Sequence, residues 1–199
     1  MKIYCAGPLF TLCEREYMSR CGEAVRAARG MEPFVPHENT SIELPANIAD
    51  RLLELQLLTP ETLAQHPLVD LVRHLVQTRA VTRKTLGLSA GSTAQQVFDK
   101  NFASMVISDA MLAVINGPEV DDGTACEIGI FAALMETDPT KKGIVAIHDD
   151  WRTLDTPGEG KGLNAFVHGC LLKSGVIVCR LEDAIAVLQS WRDGKGTRV

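Results

Sequence analysis

The feature that most constrains the fold is a short apolar run at residues 109–115, followed at once by an acidic turn and a helical pattern. An apolar run of this length between turn signals is typical of a buried strand. The turn contains Glu119, Asp121 and Asp122, and Glu127 stands just before the helical segment at 128–134. In open α/β sheets, ligands bind at the loops that leave the carboxyl ends of the strands. The sequence therefore predicts a site at this turn.

Short apolar runs and amphipathic segments alternate along much of the chain. Strands are predicted at 2–6, 33–36, 109–115, 143–148 and 175–179, and helices at 14–29, 93–107, 128–134, 163–173 and 182–191. This alternation predicts an α/β fold with a doubly wound, mostly parallel five-stranded sheet flanked by helices. Since 199 residues are enough for one such core, we expect a single domain over residues 1–199.

The stretch at about 45–92 is predicted to be a helical insertion in that domain. Apolar residues recur at helical spacing in 46–58 and 68–79, and Thr59 followed by Pro60 is typical of a helix start. Plain scaffold packing and a lid over the site are both open interpretations. The small residues at 89–93 are predicted to form a loop in which Ser92 and Gln95 make a capping box, because a phosphate-binding loop would need a lysine. The helix after it is predicted to turn Phe98, Phe102 and Met105 inward.

Charge and composition exclude several classes of function. A net charge of −5 disfavours broad binding to nucleic-acid phosphates, whereas a small neutral or weakly cationic ligand fits better. The six cysteines form no Cys-x-x-Cys motif and the five histidines show no ligand spacing, so we expect no metal and no cofactor. Cysteines among apolar neighbours suit a reducing cytoplasm. The first residues resemble a strand and turn rather than a signal peptide, and no apolar run reaches the length of a membrane span.

Glu127 has two interpretations at this stage. Thr124 and Glu127 fit the spacing of a capping box, in which the glutamate only closes a helix end. Alternatively, a carboxylate in a first helical turn is held ionised by the helix dipole and is available for chemistry. The other carboxylates nearby favour the second interpretation, because a cap does not need them.

Three segments resemble the nucleoside 2-deoxyribosyltransferase family: Tyr-Cys-Ala-Gly-Pro-Leu-Phe at 4–10, Ser-Asp-Ala-Met-Leu at 108–112 and Asp-Asp-Gly-Thr-Ala-Cys-Glu-Ile-Gly at 121–129. Gly-Leu-Asn-Ala-Phe at 162–166 resembles a later asparagine-containing segment of the family. The resemblance covers roughly residues 1–40 and 95–190 and nothing in 45–92. It implies a nucleotide-salvage enzyme that exchanges the base of 2′-deoxyribonucleosides through a covalent deoxyribosyl-glutamate, without a cofactor.

The resemblance also implies roles for individual residues. It implies that Glu127 is the nucleophile, that Tyr4 holds it by a hydrogen bond, and that Asp109 and Asp121 bind and protonate the base. Other interpretations stay open: Tyr4 is a core aromatic, Asp109 caps or ends a strand, and Asp121 is a turn residue whose role passes to Asp122.

The remaining expected binding residues are Gly7, Pro8, Phe10, Asp122, Gly123 and Asn164. Asn164 matches an asparagine that family members lend to a neighbouring subunit's sugar site, although a helix N-cap is the alternative. We therefore expect a homo-oligomer, a dimer or larger, with sites at or near the subunit interfaces. At the end of the strand at 143–148, Asp149 and Asp150 are interpreted as a solvated turn.

The expected ligands are a small-molecule nucleoside and a free nucleobase, with no nucleic acid and no membrane as partner. Relatives that cleave deoxynucleoside monophosphates carry serines for the phosphate, but the matching places here read Pro-Leu-Phe at 8–10 and Thr-Ala-Cys at 124–126, where only Thr124 could serve. This favours an unphosphorylated nucleoside. One alternative is an N-glycoside hydrolase of a nucleoside or its 5′-monophosphate. The other is a non-catalytic binding module, which an intact Glu127 with Tyr4, Asp109 and Asp121 argues against.

Overall fold

The strands form one parallel sheet. A computed structural model describes residues 1–39, 44, 47–78, 80–82, 85–86, 90–150 and 162–195, with only the backbone described at 90–93. The sheet has the order β2-β1-β3-β4-β5, and every neighbouring pair of strands is parallel. Its strands are β1 (Lys2–Ala6), β2 (Glu32–Phe34), β3 (Ala110–Val114), β4 (Gly143–Ile147) and β5 (Gly175–Val178). The predicted α/β fold class is confirmed, and the carboxyl ends of all these strands lie along one edge.

Helices connect the strands, as parallel pairing requires. In chain order they are α1 (Leu12–Ala27), α2 (Pro36–Asn39), α3 (Ile48–Glu54), α4 (Pro60–Gln65), α5 (Leu68–Gln77), α6 (Ala90–Ile107), α7 (Asp122–Thr137), α8 (Ala165–Ser174) and α9 (Leu181–Arg192). Thr59 caps α4 and Pro60 occupies its first turn, as predicted. In the described part of the chain, no helix is long and apolar enough to cross a membrane.

The sheet is buried on both faces because alternate side chains of each strand enter different cores. On one face, Ile3 and Leu112 pack with residues of α1 and α9 such as Val25 and Leu188. On the other face, Tyr4 and Met111 belong to a core that α7, α8 and the end of α6 complete. Burying each large apolar side chain contributes about 1.5–3 kcal/mol, so the sheet strands are apolar on both sides. This double burial explains why the strands read as continuous apolar runs.

The chain divides into two compact units, one of residues 1–40 and 101–199 and the other of residues 41–100. The second unit contains α3, α4 and α5 and has a small apolar core that includes Ile48, Leu52, Val72 and Leu75. Helices therefore do occupy the predicted insertion. The single domain and the role of the insertion stay predictions.

The beginning of α6 departs from the sequence prediction. The helix starts at Ala90, so residues 90–93 are helical rather than a loop, and Ser92 lies inside the helix rather than at its cap. Phe98 and Phe102 are 51% and 37% exposed, and only Met105 is buried. The three residues share a helical face, but only the last turn of α6 packs on the core that it forms with α7 and α8. Proline and glycine residues in the stretch at 151–161 also predict a loop, and this stretch lies outside the described residues.

A buried lysine fastens the end of α6. The Lys141 side chain is 3% exposed, and its ammonium donates hydrogen bonds to the carbonyl oxygens of Met105, Val106 and Ser108. These carbonyls lie at or just beyond the end of α6, where no intrahelical donor reaches them. The ammonium also lies over the Phe131 ring of α7, 5.0 Å from its centroid. Burial lowers the pKa of Lys141, and the negative charges of Asp138 and Asp109 oppose that shift.

We predict that Lys141→Met lowers the free energy of unfolding by roughly 2 to 3 kcal/mol, because buried carbonyls lose their donor. Chemical denaturation at neutral pH measures this change. Lys142→Met is the matched control, since the neighbouring Lys142 is exposed and should lose little stability. Equal losses in the two variants would contradict a clamp at Lys141.

Candidate active site

The acidic turn ends in a capped helix. Asp121 is the N-cap of α7, and its Oδ2 accepts hydrogen bonds from both the backbone N and the Oγ1 of Thr124, each at 2.8 Å. Thr124 therefore lies in the first turn, and Glu127 lies in the second. The capping-box interpretation of Thr124 and Glu127 is wrong, because Asp121 already supplies the cap three residues earlier.

Glu127 meets two donors from other parts of the fold. The Tyr4 hydroxyl donates to Glu127 Oε1 at 2.5 Å, and the Asn101 Nδ2 donates to the same oxygen at 3.4 Å. Tyr4 lies in β1, Asn101 in α6 and Glu127 in α7. Tyr4 is fully buried and stacks on Phe34 with ring centroids 5.5 Å apart. The two interpretations of Tyr4 are thus compatible, since its ring belongs to the core and its hydroxyl reaches the carboxylate.

Burial sets the protonation of this pair. Desolvation raises the pKa of Glu127 to about 7, and the negative charge of Asp121 acts in the same direction, while the hydrogen bonds from Tyr4 and Asn101 oppose it. Burial also raises the pKa of Tyr4, so its hydroxyl stays protonated and remains a donor. The expectation that the helix dipole of a first turn holds Glu127 ionised is wrong, because the residue lies one turn further in and is desolvated. The carboxyl group instead exchanges its proton near neutral pH.

Asn101 is a site residue that the sequence reasoning missed. It lies on α6, 26 residues before Glu127, outside any recognised motif. A signal was present, because Asn101 precedes the buried Met105 by one helical turn and so shares its buried face. Within the described part of the chain, its Oδ1 is buried without a hydrogen-bond partner. This oxygen is an unsatisfied acceptor next to the Glu127 carboxylate.

Asp109 lies at the opposite edge of the sheet. It precedes β3, so it sits at the amino ends of the strands, where its Oδ2 accepts the backbone N–H of Lys2 at 2.6 Å. Its own backbone N–H donates to the Lys2 carbonyl at 2.8 Å. The structure does not bring Asp109 to the site, and its expected contact with the base is corrected to a strand-end role. The motif match could not reveal this, because both ends of a short strand are close in sequence.

The turn after β1 lies at the carboxyl edge. A Cβ added to Gly7 would clash with the Met18 side chain of α1, so a larger residue here would force that side chain to shift. Arg15 fixes the turn by donating to the carbonyl oxygens of Leu9 and Phe10 at 2.9 and 3.0 Å. The Phe10 side chain is 76% exposed. Gly7, Pro8 and Phe10 thus form a rigid turn that presents an apolar side chain outward.

A cavity of about 440 Å³ lies on the flank of α7 that faces α8. Asp122, Leu163, Asn164 and Val167 line part of it, whereas Glu127 is absent from its lining. Asn164 caps α8, because its Oδ1 accepts from the backbone N of Phe166 and of Val167 at 2.9 and 3.4 Å. Asp122 and Gly123 are exposed at the start of α7, where Asp122 accepts the Gly123 N–H. The N-cap interpretation of Asn164 therefore applies to its oxygen.

Two aspartates fasten the loop that leads to Asp121. Asn116 Nδ2 donates to Asp149 Oδ1 at 2.5 Å, and the backbone N of Asp149 donates to Asn116 Oδ1 at 2.9 Å. The Gly117 backbone N donates to Asp150 Oδ2 at 2.9 Å. The solvated-turn interpretation of Asp149 and Asp150 is incomplete, because both carboxylates hold the acidic loop in place. Within the described residues there is no cluster of three side chains suited to a metal ion.

Comparison with known proteins gives a family and a fold. The family model described as "Nucleoside 2-deoxyribosyltransferase" matches residues 3–167. A conserved protein from Enterococcus faecalis V583 superposes with a TM-score of 0.58 at 21% identity, covering 94% of this chain and 97% of that one. The 2-deoxyribosyltransferase from Bacillus psychrosaccharolyticus superposes with a TM-score of 0.53 at 16% identity, covering 93% and 90%. No curated protein matches. At these identities the two structures support the fold.

We predict that Glu127→Gln folds and has a higher melting temperature than the unchanged chain at pH 8, with a smaller difference at pH 5. The raised pKa means that the folded protein binds this proton more tightly than the unfolded chain does. The ionised carboxylate therefore destabilises the fold increasingly as pH rises from its ordinary pKa of 4.5 to about 7. Glutamine is similar in volume and carries no charge.

Thermal unfolding at the two pH values measures this difference. Glu23→Gln is the control, since Glu23 is exposed on α1 and should show no such pH dependence. A Glu127→Gln variant that loses its fold would instead indicate that the carboxylate is a structural cap.

Proposed function

Because the chain belongs to the nucleoside 2-deoxyribosyltransferase family, we propose that it exchanges the base of 2′-deoxyribonucleosides with Glu127 as the nucleophile. The observation that carries the proposal is the convergence of Tyr4 and Asn101 on one oxygen of a largely buried carboxylate. The family acts on nucleosides and free nucleobases. The Bacillus psychrosaccharolyticus protein is described as a biocatalyst for the synthesis of antiviral and antitumoral nucleosides, which agrees with this proposal.

In the first half of the proposed reaction, Glu127 attacks C1′ of the deoxyribose. The bond between C1′ and the base nitrogen breaks, its electron pair goes to the base, and the protonated form of Asp121 supplies a proton to that base and is left as a carboxylate. In the second half, a nitrogen of the incoming base attacks C1′, the ester bond to Glu127 breaks, and Asp121 takes back the proton. This is the double displacement of retaining glycoside chemistry with a base in place of water.

The two donors to Glu127 make its two carboxylate oxygens different. Within the described residues, Tyr4 and Asn101 both donate to Oε1, and the proposal therefore assigns the attack to Oε2. Donors fixed in advance stabilise the carboxylate that is regenerated when the sugar leaves. The buried Oδ1 of Asn101 is suited to accept a hydrogen bond from a sugar hydroxyl beside the reacting carbon.

The side chains around the site support a nucleoside rather than a monophosphate as substrate. Pro8 and Phe10 offer a phosphate no side-chain donor. Thr124 was the remaining candidate for binding a phosphate. It is 1% exposed, and its hydroxyl donates a hydrogen bond to Asp121. The Phe10 ring and the backbone of its turn are better suited to an apolar base.

The proposal includes a homo-oligomer in which Asn164 contributes to a neighbouring subunit's sugar site. Asn164 uses its oxygen as the α8 cap, so its amide nitrogen is the group that would face a sugar. The adjacent Phe166 is 80% exposed, which is suited to burial between subunits. A cytoplasmic role in nucleoside salvage is also part of the proposal, and it agrees with six free thiols.

We predict transfer that depends on a free base and is faster than hydrolysis, with ping-pong kinetics. Chromatography of deoxyadenosine mixed with cytosine, and of thymidine mixed with adenine, measures new nucleosides and free deoxyribose. Glu127→Gln should abolish both products, whereas Asp109→Asn should retain activity because Asp109 lies at the other sheet edge. If deoxyribose appears at one rate with or without a base and no new nucleoside forms, the enzyme is a hydrolase that uses the same Glu127.

We predict that Tyr4→Phe moves the acidic limb of the pH profile of kcat/KM upward by roughly one to two pH units. Activity requires ionised Glu127, so the rate should rise as pH passes the pKa of Glu127 near 7. The Tyr4 hydrogen bond lowers that pKa, and its loss raises the pH at which the nucleophile forms. Tyr17→Phe is the matched control, because Tyr17 is the second of two tyrosines and lies on α1. An unchanged limb in Tyr4→Phe would exclude this role.

A further inference from the structure

We propose that Thr124 is a positioning residue for Asp121, holding that carboxylate so that Oδ1 alone meets the nucleobase. The inference rests on the proposed function, in which Asp121 exchanges a proton with the base. It assigns a role to a side chain that the sequence pattern offered only as a helix cap or a phosphate ligand.

The geometry saturates one oxygen of Asp121. Thr124 N and Thr124 Oγ1 both donate to Oδ2 at 2.8 Å, and an sp² oxygen has two lone pairs. A base arriving at Asp121 therefore finds Oδ1 as the oxygen that can still give or take a proton. Since Oδ2 is fixed from two directions, the carboxylate plane and the direction of Oδ1 are fixed as well.

The hydroxyl bond exceeds what the helix needs. Capping α7 requires only a bond from a backbone N–H of the first turn to the Asp121 side chain. Thr124 supplies that bond with its own backbone and then adds a second bond from the side chain. The hydroxyl is also buried, because Thr124 is 1% exposed. Because the backbone N–H already binds this carboxylate, the additional bond from the buried hydroxyl serves to orient it.

The proposed role of Thr124 can be distinguished from a general loss of structure, because Thr124 affects proton transfer to the base and not the attack on the sugar. Asp121 matters when the leaving group needs a proton, as a nucleobase does. A 4-nitrophenyl 2-deoxyriboside needs none, since its leaving group departs as a stable anion while Glu127 attacks in the same way. A change in Thr124 should therefore slow the first substrate and spare the second.

The experiment compares Thr124→Val, which keeps the shape and the backbone bond, with Thr124→Ser, which keeps the hydroxyl. With a deoxynucleoside, we expect Thr124→Val to lose about tenfold in kcat/KM, the effect of one hydrogen bond to a charged group. Thr124→Ser should stay near the unchanged enzyme. With the 4-nitrophenyl substrate, neither variant should lose activity.

A second arm uses Asp121→Asn, which still caps the helix but cannot exchange the proton. Adding Thr124→Val to this variant should cost nothing further, because the group that Thr124 orients is already inactive. Full activity of Thr124→Val on deoxynucleosides would overturn the inference and leave the proposed function intact. Equal losses on both substrates, or a further loss in the double variant, would also overturn it. An unchanged enzyme that acts on neither substrate would overturn the proposed function and this inference together.

Discussion

The hydrogen bond between the Tyr4 hydroxyl and Glu127 is the interaction on which the site depends. It joins the first strand to a helix more than a hundred residues later, so it exists only when the sheet has its order β1-β3 and α7 packs across it. Both partners are largely buried, and a buried carboxylate without a hydrogen-bond donor is unfavourable. The donor reduces this cost without removing it, and the carboxyl group is left ready to change protonation near neutral pH.

Other residues at the carboxyl edge of the sheet hold the loop after β3 and the Asp121 carboxylate in place. The loop after β3 is held by Asp149 and Asp150, and it delivers Asp121 to the start of α7, where the cap sets the direction of the carboxylate. Because side chains rather than sequence neighbours hold the loop, its shape depends on β4 as much as on β3. The position of the Asp121 carboxylate is therefore set by the sheet.

The sequence predicted the strands and the sheet class, because apolar runs and turn residues are local signals. It offered Thr124 as the cap of this helix, whereas the hydrogen bonds of the structure make Asp121, three residues earlier, the cap of α7. Helical spacing from Met105 could place Asn101 on a buried face, but its contact with Glu127 depends on the packing of α6 beside α7. Asp109 shows the converse, since a motif match named a residue that the strand carries to the other edge.

Two buried charged groups show how the fold separates support from chemistry. The Lys141 ammonium has three carbonyl acceptors and an aromatic ring, so all its donors are used and it serves stability. Among the described residues, both donors to Glu127 bind Oε1, so only one of its two oxygens is hydrogen-bonded there. An ionised oxygen that the protein does not fully stabilise gains most when it bonds to an electrophilic carbon. The incomplete stabilisation of the Glu127 carboxylate is therefore consistent with the nucleophile role that we propose for it.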